Sequence, residues 1–202
     1  TGWGRKGNAI KETYTDPNDV TQAYAIGKAY DGGQFAELNC QAYGALYQDV
    51  LTVPGATLNW SLAHAGRDGT DTMALLIAPV DVAQDITGAL KNKTTRAAIQ
   101  EALNGSITVN GVNVPIRNYI VDGNISDGCT AWGVHNGTYT VPAGQYVSRF
   151  FFVAVTSASG DSEEGLKRGN LIDRVWFSTD PVPPAAGSGI LRVTKTLLKT
   201  DG

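Results

Sequence analysis

The sequence is poor in the side chains most used for chemistry: of 202 residues, two are His, two are Cys and one is Met. No GxSxG, HExxH or GxxxxGK[ST] pattern is present, so the common nucleophile, metalloprotease and phosphate-loop signatures are missing. Ser61 and His64 fall on opposite faces of one predicted strand and cannot pair as nucleophile and base. Catalysis is not expected. The two thiols, Cys40 and Cys129, are far apart and lack a CxxC partner, which excludes a cysteine-rich zinc centre. They either form a disulfide, which would close a long loop and stabilise by about 4 kcal/mol in the chain-entropy model, or sit as two buried thiols.

Charge is also scarce. Asp, Glu, Lys and Arg make up 17% of the chain against 42% hydrophobic residues, and the net charge is -3. No Lys/Arg cluster interleaves with aromatic residues, so nucleic acid is not an expected partner. No apolar run approaches the roughly 18 residues of a membrane-spanning helix, so no insertion is expected. The chain opens Thr1-Gly2-Trp3, without a basic start or an apolar leader. It reads as a segment excised from a longer chain, monomeric in isolation.

What the sequence has is short β-type segments punctuated by turn residues. Residues 35–39, 45–51, 57–64 and 72–78 carry strand patterning, with Leu58, Trp60 and Leu62 on one face of the third and Asn59, Ser61 and Ala63 on the other. Residues 81–90 and 94–103 have helical spacing and good helix formers, and form a helical insertion ended by Asn104-Gly105. Strands resume at 107–109 and 112–116 around the hairpin signal Asn110-Gly111. Segments 119–121, 137–141, 147–156 and 171–178 complete about nine strands. The expected fold class is all-β, a jelly-roll β-sandwich with a short helical insertion. Trp60 and Trp176 lie inside strand patterns and read as core, while residues 122–136 read as a long polar loop.

At Asp180 the composition changes. Residues 180–189 are a Pro/Gly/Ala/Ser linker, and 190–196 read as a new strand. The domain is therefore expected over 1–179, with 190–202 either the start of a following domain or a strand added to this one.

A series of motifs stands in order: Phe35-Ala36-Glu37-Leu38-Asn39, Leu46-Tyr47-Gln48-Asp49-Val50, Thr52-Val53-Pro54-Gly55, and Trp60 to Arg67 followed by Gly69-Thr70-Asp71. Val141-Pro142-Ala143-Gly144-Gln145 and Gly169-Asn170-Leu171-Ile172-Asp173 follow near the end. Together they resemble the galactose-binding-like jelly-roll domains of Gram-positive cell-wall-anchored adhesins and pilus proteins. The likeness spans roughly 1–179. Cys40 departs from it, since a small residue is more usual there, and so does Ile10-Lys11-Glu12, where the family has an Ile-Glu pair. The tail Leu191-Arg192-Val193-Thr194-Lys195-Thr196 is similar to the first strand of pilin-type B repeat domains, in which Lys195 would sit at an isopeptide-forming position. The resemblance implies an extracellular, wall-anchored binding module. It also implies a structural Ca²⁺, for which Asp16, Asn18, Asp19 and Asp173 offer hard oxygen ligands, although Asp and Asn are equally the ordinary residues of turns.

Two polar groups are candidates for ligand contact. Glu37, His64 and Arg67 form the first, with Asp68 and Asp71 in the adjoining loop; a Glu37–Arg67 pair across strands would be structural. The second contains Trp132, His135 and Asn136. Trp132 either stacks on a sugar ring, while Asn and His bond its hydroxyls, or plugs the end of the sandwich. The leading expectation is a non-catalytic module recognising host or dietary glycan. A host-surface-protein binder and a structural spacer are the alternatives, because the fold alone selects none of them.

Overall fold

The computed structural model describes residues 4–6, 24–40 and 42–179. Within them the chain forms two packed antiparallel sheets. The first has strand order β1-β3-β10-β5-β8 and the second β2-β11-β4-β9. The strands are β1 (Gly4–Lys6), β2 (Ala36–Glu37), β3 (Ala45–Leu51), β4 (Thr57–Ala65), β5 (Asp71–Pro79), β6 (Ser106–Val109), β7 (Val112–Pro115), β8 (Ile120–Asp127), β9 (Gly133–Thr140), β10 (Val147–Thr156) and β11 (Leu171–Ser178). Strands β6 and β7 form a separate two-stranded ribbon turned by Asn110-Gly111, both at positive φ, as a type I′ hairpin requires. The architecture is a jelly-roll β-sandwich with a helical insertion.

The central strand β10 explains the layering. Phe150 stacks on Phe177 of β11 at 4.3 Å between ring centroids, so the even-numbered residues of β10 face the second sheet. The odd-numbered residues face away, where Arg149 forks onto Asp49 of β3 and donates to Thr87 of helix α1 (Val80–Leu90). Helices α1 and α2 (Arg96–Asn104) thus cover the outer side of the first sheet. This is why residues 150–154 read as an unbroken apolar run: β10 is buried on both faces. Helix α1 follows directly on Pro79, the last residue of β5 and the helix's N-cap at φ −55°. No helix among the described residues is long and apolar enough to cross a membrane.

Two expectations need correction. The polar stretch 122–136 is mostly strand, with only Gly128–Trp132 between β8 and β9. Both strands are sheet edges, and in β9 half-buried and exposed residues alternate strictly. A strand wetted along one face carries few apolar residues, and its composition imitates a loop. Trp176 is half-buried rather than core. The register of β11 against β4 shifts between Asp173 and Trp176, with Arg174 at φ +43°, and Trp176 then pairs with Ser61 on the outer face of the second sheet. Cys40 and Cys129 are not joined by a disulfide. Residues 180–202 and Asp16, Asn18 and Asp19 lie outside the described residues.

Phe151 is 1% exposed and packs its ring 5.9 Å from Tyr47 beneath the helices. Phe151→Ala is expected to cost about 3–5 kcal/mol, read as a lowered midpoint in urea unfolding with a cooperative transition retained.

Candidate functional site

The motif Gly169-Asn170 enters β11 through two residues at positive φ, +140° and +51°. A Cβ at Gly169 would lie 2.6 Å from Ser157 Oγ and 2.9 Å from Asp71 Oδ2, so only glycine fits. Asn tolerates the left-handed region better than most residues, and here it uses every polar group it has. The buried Asn170 donates its N–H to Asp71 Oδ2 (2.8 Å) and accepts at its carbonyl from the Leu38 N–H (2.9 Å). Its Nδ2 donates to Asn39 Oδ1 (3.0 Å) and to the Thr156 carbonyl (2.9 Å). A carbonyl only accepts, which fixes the amide: Oδ1 is the atom 3.1 Å from His64 Nε2.

From there the network crosses between sheets. His64, on β4, places Nδ1 2.8 Å from Asp127 Oδ2, and His135, on β9, places Nε2 2.7 Å from the same oxygen. Asp127 ends β8 in the opposite sheet. One carboxylate oxygen therefore joins the two sheets along the β8–β9 edge. A Cβ at Gly133 would sit 1.8 Å from Asp127 Oδ1, so the carboxylate approaches over a glycine. Side-chain exposure rises from 0% at His64 through 17% at Asp127 to 25% at His135, so this seam opens toward solvent at its β9 side. Burial pushes the Asp127 carboxyl up, but the hydrogen bonds from His64 and His135 outweigh it and hold it below its ordinary value. Ligand atoms of all three residues lie within 4.8 Å of one another, and these are the described residues that could hold a metal.

A second polar cluster adjoins the first. Arg67 Nη1 donates to both Glu37 oxygens at 2.8 Å, and its guanidinium lies 4.6 Å over the Tyr24 ring. Glu37 also accepts from the Gly169 N–H and the Tyr24 hydroxyl. Asp71 is buried and takes the N–H groups of Arg67, Ala158 and Asn170. Both carboxylates are satisfied within the protein and hold loops together. Asp68 sits outside them, accepting from Ser159 Oγ.

The outer face of the second sheet is different in kind. Leu58, Trp60 and Leu62 of β4 point inward and are buried, so Asn59, Ser61 and Ala63 point outward. Register places Trp176 (β11), Ser61 (β4) and Asn136 (β9) in one row across this face, and Ser178, Asn59 and Thr138 in the next. Asn136 and Thr138 are exposed, Trp176 and Asn59 are half-exposed, and Ser61 between them is buried. Trp132 borders the same face at the upper end. It packs edge-on against Phe35 (5.7 Å) and Tyr30 (6.4 Å), and its Nε1–H donates to the Lys28 carbonyl (2.9 Å).

The expected site residues thus separate into three groups. His64 and His135 meet through Asp127 in the seam, whereas Arg67, Asp68 and Asp71 belong to the loop-holding cluster. Trp132 and Asn136 lie on the outer face, since alternation along β9 turns Asn136 away from His135. Asp127, Asn170 and Trp176 were missed as site residues. The strict period of β9 and a strand-end carboxylate facing two histidines were the signals available, but both depend on knowing that 122–136 is strand. Of the four residues expected to hold calcium, Asp173 alone is described. Its oxygens accept the N–H groups of Tyr30, Asp31 and Arg174, so this carboxylate pins the turn at 30–31.

No protein-family model and no curated protein matches the sequence. Among solved structures, the chain is similar to the CBM22-1 xylan-binding domain of Paenibacillus barcinonensis Xyn10C, with 13% identity over 87% of this chain and 84% of that one, at a TM-score of 0.45. It is similar also to a family 35 carbohydrate-binding module from Clostridium thermocellum, at 10% identity, 88% and 98% coverage and TM-score 0.42. A third is TmCBM61 in complex with β-1,4-galactotriose, at 12% identity, 88% and 86% coverage and TM-score 0.41. Likeness at this level says nothing about the residues of a site.

Because the Asp127 carboxyl is held below its unfolded value, its contribution to stability is present above that value, about 3.9, and is lost as pH falls through the lower folded one. In EDTA-treated protein, Asp127→Asn is expected to lower the unfolding free energy by about 2–3 kcal/mol at neutral pH. It should also flatten the acid limb of stability against pH below about pH 4, measured by thermal melts over a pH series. An unchanged acid limb would show that Asp127 does not carry it.

Proposed function

We propose that this chain is a non-catalytic binding module that takes a glycan on the outer face of its second sheet. The observation that carries this reading is the row Trp176–Ser61–Asn136, with Asn59 and Thr138 beside it. A sugar offers an apolar C–H face and a rim of hydroxyls. A half-exposed indole flanked by amide and hydroxyl side chains, all carried on rigid strands, matches both. Trp132, clamped at the upper end, limits how far a chain of sugars can extend. His64 is unsuited to act as a general base, because both ring nitrogens are already engaged by Asp127 and Asn170. We place the module in an extracellular, wall-anchored adhesin or pilus protein; the support for that placement is the ordered motif series from Glu37 to Asp173.

A second reading has its own observation. Leu51, Val53 and Tyr146 are 83%, 55% and 68% exposed and adjoin one another, since Leu51 pairs with Val147 and the Thr52 N–H donates to the Tyr146 carbonyl. Three large apolar side chains together at one end of the sandwich suit a protein partner better than a sugar.

A glycan array followed by titration separates the readings. Carbohydrate binding is expected, weakened about tenfold or more by Trp176→Ala and also by the exposed Asn136→Ala, but unchanged by Tyr146→Ser. A folded protein that binds no carbohydrate at millimolar concentration would contradict the glycan reading. Loss of binding to a host surface protein in Tyr146→Ser would support the second.

A further inference from the structure

We propose that His64 Nδ1, Asp127 Oδ2 and His135 Nε2 form a binding site for a divalent transition metal, with Zn²⁺ the preferred ion. The case begins with the fixed amide of Asn170. Its Nδ2 is committed to the Thr156 carbonyl and Asn39 Oδ1, so His64 must place a proton on Nε2 to meet Oδ1 at 3.1 Å. His64 Nδ1, on the other side of the ring, lies 2.8 Å from Asp127 Oδ2. His135 Nε2 converges on that oxygen from a second strand at 2.7 Å. Two ring nitrogens and a carboxylate oxygen thus converge from three strands, all within 4.8 Å of one another, a donor set of the kind that holds a single metal ion.

The surroundings match a built site. A metal-ligating His characteristically donates its other ring N–H to a carbonyl or carboxylate that fixes its tautomer and tilt, and Asn170 Oδ1 does this for His64. The three ligands come from three strands in two sheets, so their arrangement is imposed by the fold. Two imidazoles and one carboxylate suit zinc and its neighbours, whereas Ca²⁺ and Mg²⁺ prefer all-oxygen sets. The partial exposure of His135 and Asp127 leaves room for water to complete the coordination shell. Ligand atoms around a tetrahedral zinc with bonds of about 2.0–2.1 Å lie roughly 3.3–3.4 Å apart. Loading therefore requires the present contacts to widen by roughly half an ångström. His135 and Asp127, both on edge strands, can move that far. The site faces the sandwich interior and stands independently of the glycan face.

The chain contains two histidines in all, so any histidine-dependent metal site must be this one. Untagged, metal-stripped protein in a Cys40→Ser/Cys129→Ser background is titrated with Zn²⁺ by calorimetry and with Co²⁺ by visible absorption, without sugar. One ion per chain is expected, at micromolar affinity or tighter, with the d–d bands of Co²⁺ in a low-coordinate site. His135→Ala, on an exposed edge and checked for folding by circular dichroism, is expected to weaken binding at least a hundredfold, and Asp127→Asn similarly. No binding at 1 mM Zn²⁺, or binding that His135→Ala leaves unchanged, would overturn the proposal.

Discussion

The structure depends on a buried asparagine held in left-handed backbone. Asn170 gathers five hydrogen bonds at a point with no solvent access, and its partners tie segments of the second sheet to segments of the first. Leu38 and Asn39 follow β2, Asp71 opens β5, Thr156 closes β10 and His64 sits in β4. Each bond contributes about 1 kcal/mol net, but leaving any of these buried groups unpaired costs about 1–3 kcal/mol. The node thus acts chiefly by penalising every arrangement in which the five segments are not together. Gly169 beside it allows Asp71 and Ser157 to close in.

From this node the sandwich divides its polar side chains between two surfaces with different work. Inside, the His64–Asp127–His135 seam stitches the edges of the two sheets where β8 and β9 meet. Outside, the same strands turn Asn59, Asn136 and Thr138 outward beside Trp176, with Ser61 buried between them. Period-two alternation makes this possible: neighbouring residues of one strand, His135 and Asn136, serve opposite faces. The seam is anchored by hydrogen bonds that a sugar on the outer face never meets, so the two surfaces can be altered separately.

Much of the fold was legible in the sequence. The strand at 45–51, the long strand at 147–156, the last strand at 171–178 and the two-helix insertion follow from period and composition, because their apolar residues face a core or are buried on both sides. Edge strands were legible only in part: 35–39, 119–121 and 137–141 read as strand, whereas 122–136 read as loop. In β9, Gly133 and Asn136 look like a loop because one face is wetted and the other must pass beneath Asp127. The motifs that gave the family resemblance turned out to be buried polar fixtures. Glu37 and Asn39, Arg67 and Asp71, and Asn170 and Asp173 are all consumed by contacts within the protein, as is Gln145, which binds Ser148 and Tyr139. Such residues are demanded by the fold, so they reveal the fold while being silent about the ligand. Trp176 was hidden for a related reason: a register shift at Arg174, invisible in sequence, reverses which face the following residues occupy.

The claim that one network carries the node and the seam together is tested most directly by a double-mutant cycle between Asn170→Ala and Asp127→Ala, measured by urea unfolding of metal-free protein. The His64 ring bridges the side chains of the two residues. A coupling energy above about 1 kcal/mol is predicted, because the first substitution already releases the ring that the second would strand. Additivity within about 0.5 kcal/mol would show instead that His64 does not transmit between them, and that the node and the seam are separate structures.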